Sequence, residues 1–70
     1  MIDLPWERVD ESMVPKEEAM KGHYMLARYI AANDRGEMQF VEVSLDPRTE
    51  VVWERRVQGI KTFVRKAKLA

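Results

Sequence analysis

No disulfide can stabilise this chain, because its seventy residues include no cysteine. In a domain this small, apolar burial at about 25 cal/mol per Å² barely exceeds the roughly 1.5 kcal/mol of entropy lost by each ordered residue. Such domains usually recover the shortfall with disulfides, a structural metal or a partner chain. A zinc site is disfavoured as well, since structural zinc prefers thiolates and imidazoles and His23 is the only histidine. The sequence therefore favours association with another chain.

The residue pattern predicts an α+β fold with one small antiparallel sheet. Residues 1–14 are interpreted as an extended N-terminal arm that could include a short strand, and residues 15–70 as a single α+β domain. Pro15 suits the first position of a helix, and good helix formers continue to Ala32. The turn-forming residues that follow, 33–36, are typical of a helix end.

A second helix is predicted after Gly59, at the C-terminal end of the chain. Apolar residues recur there at i, i+3, i+4 and i+7, the spacing of one buried stripe. The stripe consists of Ile60, Phe63, Val64 and Ala67. Three basic residues recur at a similar spacing on another side of the same predicted helix: Lys61, Arg65 and Lys68.

Two strands are predicted between the helices, over residues 38–45 and 51–57, because both segments are rich in valine and aromatic residues. A four-residue loop would pair Leu45 with Glu50 and scatter charge over both faces. A five-residue loop pairs Leu45 with Val51 and gathers apolar residues on one face, so this register is preferred. It leaves three apolar side chains on the opposite face: Met38, Phe40 and Val52.

These three side chains predict self-association through the sheet, because a small sheet has open edges that a second copy would remove. The expected partner is a second copy of the chain, most simply in a dimer, and/or a larger protein. Trp6, on the proline-containing arm, is a further candidate contact. It would either dock back onto its own assembly or insert into a partner, since aromatic anchors are enriched among interface hot spots.

The last sixteen residues carry six basic side chains and no acidic one. They could bind the phosphates of a nucleic acid or the carboxylates of an acidic protein, or they could form a solvated helix face. The whole chain is neutral, with twelve basic and twelve acidic residues, which argues against a dedicated nucleic-acid binder. The candidate contact residues are Arg55, Arg56, Lys61, Arg65 and Lys68.

His23 is the chain's only candidate for proton transfer near neutral pH, and it belongs to no recognisable catalytic motif. We interpret it as a partly buried residue on the first helix that is dispensable for activity. No catalytic, cofactor or metal site is predicted, and the chain is not expected to be an enzyme.

Together these patterns predict a small non-catalytic binding or regulatory protein that acts through protein–protein contacts and is oligomeric. The alternative is a nucleic-acid-binding regulator that uses the basic C-terminal segment. The N-terminus lacks the basic and apolar regions of a signal peptide, and no apolar run approaches the roughly twenty residues of a membrane span. A cytoplasmic protein without membrane contact is expected.

Overall fold

The computed structural model describes residues 4–13 and 22–69, and these residues form one antiparallel sheet of five strands. The strands are β1 (Glu7–Val9), β2 (Tyr24–Ala32), β3 (Met38–Asp46), β4 (Val51–Gln58) and β5 (Lys61–Lys68). A short 3₁₀ turn, Glu11–Met13, follows β1. The order across the sheet is β1-β5-β4-β3-β2, so β2 to β5 form a meander and β1 lies at the edge beside β5.

The predicted α+β fold is wrong, because the described residues contain no α-helix and the sheet has five strands. The first predicted helix covered residues 15–32. Residues 15–21 of it lie outside the described part, and Tyr24–Ala32 form β2 instead. Helix propensity is a weak preference, and it is overridden here by the pairing of β2 with β3, which involves every residue of β2 except Leu26.

A two-residue turn replaces the start of the second predicted helix. Gln58 pairs with Lys61, so Gly59 and Ile60 alone connect β4 to β5. Gly59 has a φ of 59° whereas Ile60 has no positive φ, which is the pattern of a type II′ hairpin turn. The Ile60 side chain is fully exposed at this turn, so the predicted buried stripe on a helix is also wrong.

Alternation along the paired strands gives the sheet two distinct faces. The Glu54 face carries Gln39, Val41, Val52, Glu54, Arg56, Phe63, Arg65 and Ala67. The Phe40 face carries Phe40, Ser44, Trp53, Val57, Val64 and Lys66. The buried apolar side chains are Val41, Val52 and Ala67 on the Glu54 face and Val64 on the Phe40 face.

The β3–β4 register differs from the predicted one. Asp46 lies opposite Val51 across a four-residue turn, one residue from the predicted pairing. Because a shift of one residue exchanges the faces of a strand, Val52 lies on the Glu54 face and not beside Met38 and Phe40. Val52 is 3% exposed, so its side chain belongs to the interior of the fold.

Candidate functional site

Strand β2 forms a long and apolar edge of the sheet. It spans nine residues, pairs with β3 on one side, and carries a single charged residue, Arg28. Its exposed large apolar side chains are Tyr24, Met25, Leu26, Tyr29 and Ile30. The outer side of an edge strand presents backbone N–H and C=O groups that can pair with another strand.

Two residues of β3 continue this apolar surface onto the Phe40 face. Phe40 lies opposite Ile30, and Met38 lies opposite Ala32. Ile30 and Met38 are 65% and 62% exposed, and Phe40 is 41% exposed. The structure therefore brings the predicted residues Met38 and Phe40 together, beside the unpredicted Ile30. We call this set the apolar edge surface: Tyr24, Met25, Leu26, Tyr29, Ile30, Met38 and Phe40.

A buried carboxylate lies at the centre of the Glu54 face. Glu54 is 4% exposed, and Arg65 donates to both of its oxygens, from Nε at 2.7 Å and from Nη2 at 2.8 Å. Arg56 Nε also donates to Glu54 Oε1, at 2.9 Å. Burial by itself raises the pKa of Glu54, but the hydrogen bonds and charges of the two arginines lower that pKa overall.

Side-chain hydrogen bonds continue from Glu54 across the sheet towards the β2–β3 turn. Arg56 Nη1 donates to Gln39 Oε1 at 3.2 Å, and Gln39 Nε2 donates to Gln58 Oε1 at 3.0 Å. Gln58 Nε2 then donates to Glu37 Oε2 at 2.9 Å. Buried polar groups are normally hydrogen-bonded in this way, and here the bonds connect side chains of three neighbouring strands.

Two aromatic rings lie against arginines at the β1 end of the Glu54 face. The Arg65 Cζ atom is 4.1 Å from the centre of the Trp6 ring, and the Arg8 Cζ atom is 5.9 Å from the centre of the Phe63 ring. Both distances are in the range of cation–π interactions. Trp6, which the sequence singled out as an anchor, is thus half-buried against Arg65 of its own chain.

The same arginines line a groove on the Glu54 face. Arg8, Glu54, Arg56, Phe63 and Arg65 surround a volume of about 160 Å³, which we call the arginine groove. A wider depression of about 420 Å³ adjoins it, lined by residues from Arg8 on β1 to Asn33 after β2. Because β1 and β2 are opposite edges of the sheet, a shared depression means that the sheet curves towards its Glu54 face.

The basic residues predicted as one patch are divided between the two faces. Arg56, Lys61 and Arg65 project from the Glu54 face, whereas Arg55 and Lys68 project from the Phe40 face. Arg8 and Glu54, which line the arginine groove, were not among the predicted site residues. Glu54 could have been placed on the same face as Val52 and Arg56 from the sequence, since alternate residues of a strand share a face.

His23 precedes β2 and lies beside the end of β3. Its side chain is 4% exposed, with Nε2 at 3.5 Å from Asp46 Oδ2. Burial raises the pKa of Asp46, but hydrogen bonds from Arg48 and Thr49 outweigh burial and lower that pKa overall. The prediction that His23 lies on a helix is wrong, because the residues that follow it, Tyr24–Ala32, form β2. The contact with Asp46 indicates a structural position.

We expect acid to weaken the fold through Glu54. The pKa of this carboxyl is lowered by folding, so it stabilises the fold above its unfolded pKa of about 4.3, and this stabilisation is lost as the pH falls through the folded value. The free energy of unfolding, measured with urea, should therefore drop below about pH 5. Glu54→Gln should flatten this dependence, whereas Glu7→Gln, at an exposed site on β1, should leave it unchanged. If the stability of Glu54→Gln depended on pH in the same way as that of the unmodified chain, Glu54 would not be the group responsible.

Within residues 4–13 and 22–69, no three histidine, aspartate or glutamate side chains cluster as a metal site. No helix in that part of the chain has the length and apolar character needed to cross a membrane. Comparisons with protein-family models, with curated proteins and with solved structures found no match.

Proposed function

We propose that this protein is a small non-catalytic binding protein that acts through protein–protein contacts, and that its first partner is a second copy of itself. The observation that carries the proposal is the apolar edge surface along β2. An edge strand can add a strand from another chain, with backbone hydrogen bonds providing affinity and side chains providing specificity. Nine residues of β2 are long enough to provide both.

The side chains of β2 support this use of the edge. Proteins usually protect an exposed edge with charged residues, proline, a bulge or a short strand. β2 has one charge at Arg28 and a register shift between Met25 and Ala27. Ala27–Ala32 are regular, and within residues 4–13 and 22–69 no strand pairs with their outer side. Large contiguous apolar surfaces that stay exposed in a monomer typically mark interaction sites.

Symmetry restricts how two β2 strands can pair. A two-fold axis perpendicular to the sheet keeps each face aligned with the same face of the partner, and directly opposed residues share a face. Pairing Arg28 with its own copy would place like charges opposite each other, which is destabilising. A two-residue shift of the partner strand moves the centre of the pairing by one residue, so the neighbouring registers centre on Tyr29 or Ile30. We choose the register centred on Ile30, which places the two Ile30 side chains directly opposite each other and Arg28 opposite Ala32.

Sedimentation of matched lysine variants tests the proposal. We expect the unmodified chain to be a dimer at micromolar concentration and Ile30→Lys to be monomeric, because the charge would be buried at the contact. Ile60→Lys is the matched control, since Ile60 is fully exposed at the β4–β5 turn, away from β2. Circular dichroism should show that both variants remain folded. A monomeric unmodified chain, or equal dimerisation of the two variants, would overturn the proposal.

Single cysteines provide an independent test, because the natural sequence has none. Ile30→Cys should form an intermolecular disulfide under mild oxidation, since directly opposed Cβ atoms lie about 4.5–5.5 Å apart, close to disulfide geometry. Ile60→Cys should cross-link much more slowly. Equal rates for the two variants would argue against pairing of β2 with its own copy.

The alternative function, a nucleic-acid-binding regulator, receives less support. It was based on one continuous basic segment, and the sheet divides that segment between two faces. Binding to generic duplex DNA that falls steeply with added salt would favour this alternative, because contacts to several phosphates release counterions.

A further inference from the structure

We infer that the arginine groove is a binding site for a phosphate monoester, a role separate from the proposed contact at β2. The charges of the groove match such a ligand. Arg8, Arg56 and Arg65 contribute three positive charges and Glu54 contributes one negative charge, so the lining has a net charge of +2. A phosphate monoester carries a charge of about −1.5 to −2 at neutral pH.

The hydrogen bonds within the groove hold two arginines in place and leave donors for a ligand. Arg65 uses Nε and Nη2 to bind Glu54, which leaves Nη1 without a hydrogen bond to the described residues. Arg56 uses Nε for Glu54 and Nη1 for Gln39, which leaves Nη2 in the same position. Side chains that are already fixed lose less entropy when a ligand binds. Glu54 thus acts as a positioning residue for the arginines.

Arg8 supplies the third guanidinium, from the other side of the groove. It is exposed on β1, and its contact within the described part of the chain is with the ring of Phe63. Arginine presents a planar fork of donors that matches the oxygens of a phosphate. Three guanidinium groups around one groove favour the binding of an anion with several acceptor oxygens.

The groove has room for a phosphate group. Its volume of about 160 Å³ well exceeds the roughly 10–15 Å³ that a single water molecule requires, so a phosphate with five heavy atoms can enter. The adjoining depression of about 420 Å³ has room for the rest of a small ester. Asn33, Asp34 and Gln39 line that depression. The amides of Asn33 and Gln39 already bond to neighbouring residues, whereas the Asp34 carboxylate can accept from a hydroxyl group of a sugar. The Asp34 carboxylate disfavours a second phosphate there.

A nucleic-acid strand fits the groove less well. Proteins that bind single strands stack bases on aromatic rings. In this structure, arginines already lie over the rings of Trp6 and Phe63. The arginine groove therefore offers phosphate recognition without free stacking platforms.

Titration followed by protein NMR tests the inference, with inorganic phosphate, ribose 5-phosphate and ribose as probes. Phosphate and ribose 5-phosphate should shift resonances of Trp6, Arg8 and Arg65 in a saturable way, and ribose alone should not. Arg8→Gln should weaken binding by about tenfold, the effect of losing a charged hydrogen-bonding partner. Lys61→Gln is the control, because Lys61 shares the face but does not line the groove.

The same titrations distinguish a phosphate-monoester site from a nucleic-acid site. Absence of saturation at about 10 mM phosphate, or equal binding by Arg8→Gln and the unmodified chain, would overturn it. Tighter binding of an oligothymidine than of ribose 5-phosphate, with a steep salt dependence, would replace it with a nucleic-acid site. Ile30→Lys should retain phosphate binding, since the groove lies within one chain. Loss of dimerisation and loss of phosphate binding can therefore be told apart.

Discussion

Glu54→Ala should lower the free energy of unfolding by about 3 kcal/mol, the lower end of the cost of removing one partner from a buried ion pair. The change leaves Arg56 and Arg65 without the carboxylate that accepts three of their hydrogen bonds. Both arginine side chains are partly exposed and can recover some hydration, which keeps the cost from being higher. Because a domain of this length has about 4–10 kcal/mol of stability, the loss should be obvious in urea denaturation.

Two further variants make the Glu54 experiment specific. Glu7→Ala, at an exposed position on β1, should change stability by no more than about 0.5 kcal/mol. In a double-mutant cycle, Glu54→Ala and Arg65→Ala should be coupled by about 1–3 kcal/mol, because each removes the same bidentate pair. Additive effects would show that the two side chains do not act together, and would contradict the network described on the Glu54 face.

Val52→Asp should unfold the chain. Val52 is 3% exposed on the Glu54 face, and the residues opposite it are Leu45 and Ala67, neither of which can neutralise a charge. An unpaired buried charge costs several kcal/mol even after the surroundings relax, a large part of the whole stability of such a domain. Circular dichroism and the dispersion of amide NMR signals should both show loss of the folded state.

Phe40→Asp is the matched control for Val52→Asp, because the two residues were predicted together as contact residues. Phe40 is 41% exposed within the apolar edge surface. Its replacement should leave the chain folded and shift it from dimer to monomer. If Val52→Asp stayed folded and only Phe40→Asp unfolded, the β3–β4 register would have to be reassigned.

The strands that could be predicted from the sequence are those with many β-branched residues. β3 and β4 lie at the positions expected from their valine content, and a turn with Pro47 connects them. The β3–β4 register could not be predicted correctly from the same pattern. A preference for an apolar face guided that choice, whereas in the structure the Glu54 face holds a buried glutamate beside its valines.

β2 and β5 were misassigned because their composition is ambiguous. Alanine, leucine, methionine and arginine in β2 all favour a helix, and the turn after it resembles a helix end. In β5 the apolar residues fit a helical stripe by coincidence. The dipeptide Gly59-Ile60 is the sequence signal for the β4–β5 turn, since glycine at the first position of a two-residue loop is typical of a type II′ hairpin.

The residues of the arginine groove are brought together by strand pairings that the sequence alone does not show. Trp6, Arg56 and Arg65 were all candidates, but their common location depends on β1 returning to pair with β5. Arg8 became part of the groove for the same reason. A contact between residues more than fifty positions apart needs the topology, which propensities and spacing do not provide.

The two edges of the sheet are unequal, and this inequality determines the kind of assembly that edge pairing can produce. β1 has three residues, two of them charged, whereas β2 has nine and is mostly apolar. If both edge strands could pair with another copy, copies would add without limit and form a fibre. If only one edge strand can pair, assembly stops at a dimer, because each copy then has no further edge available for pairing. The short, charged β1 would therefore protect the protein against runaway polymerisation while β2 remains available for pairing.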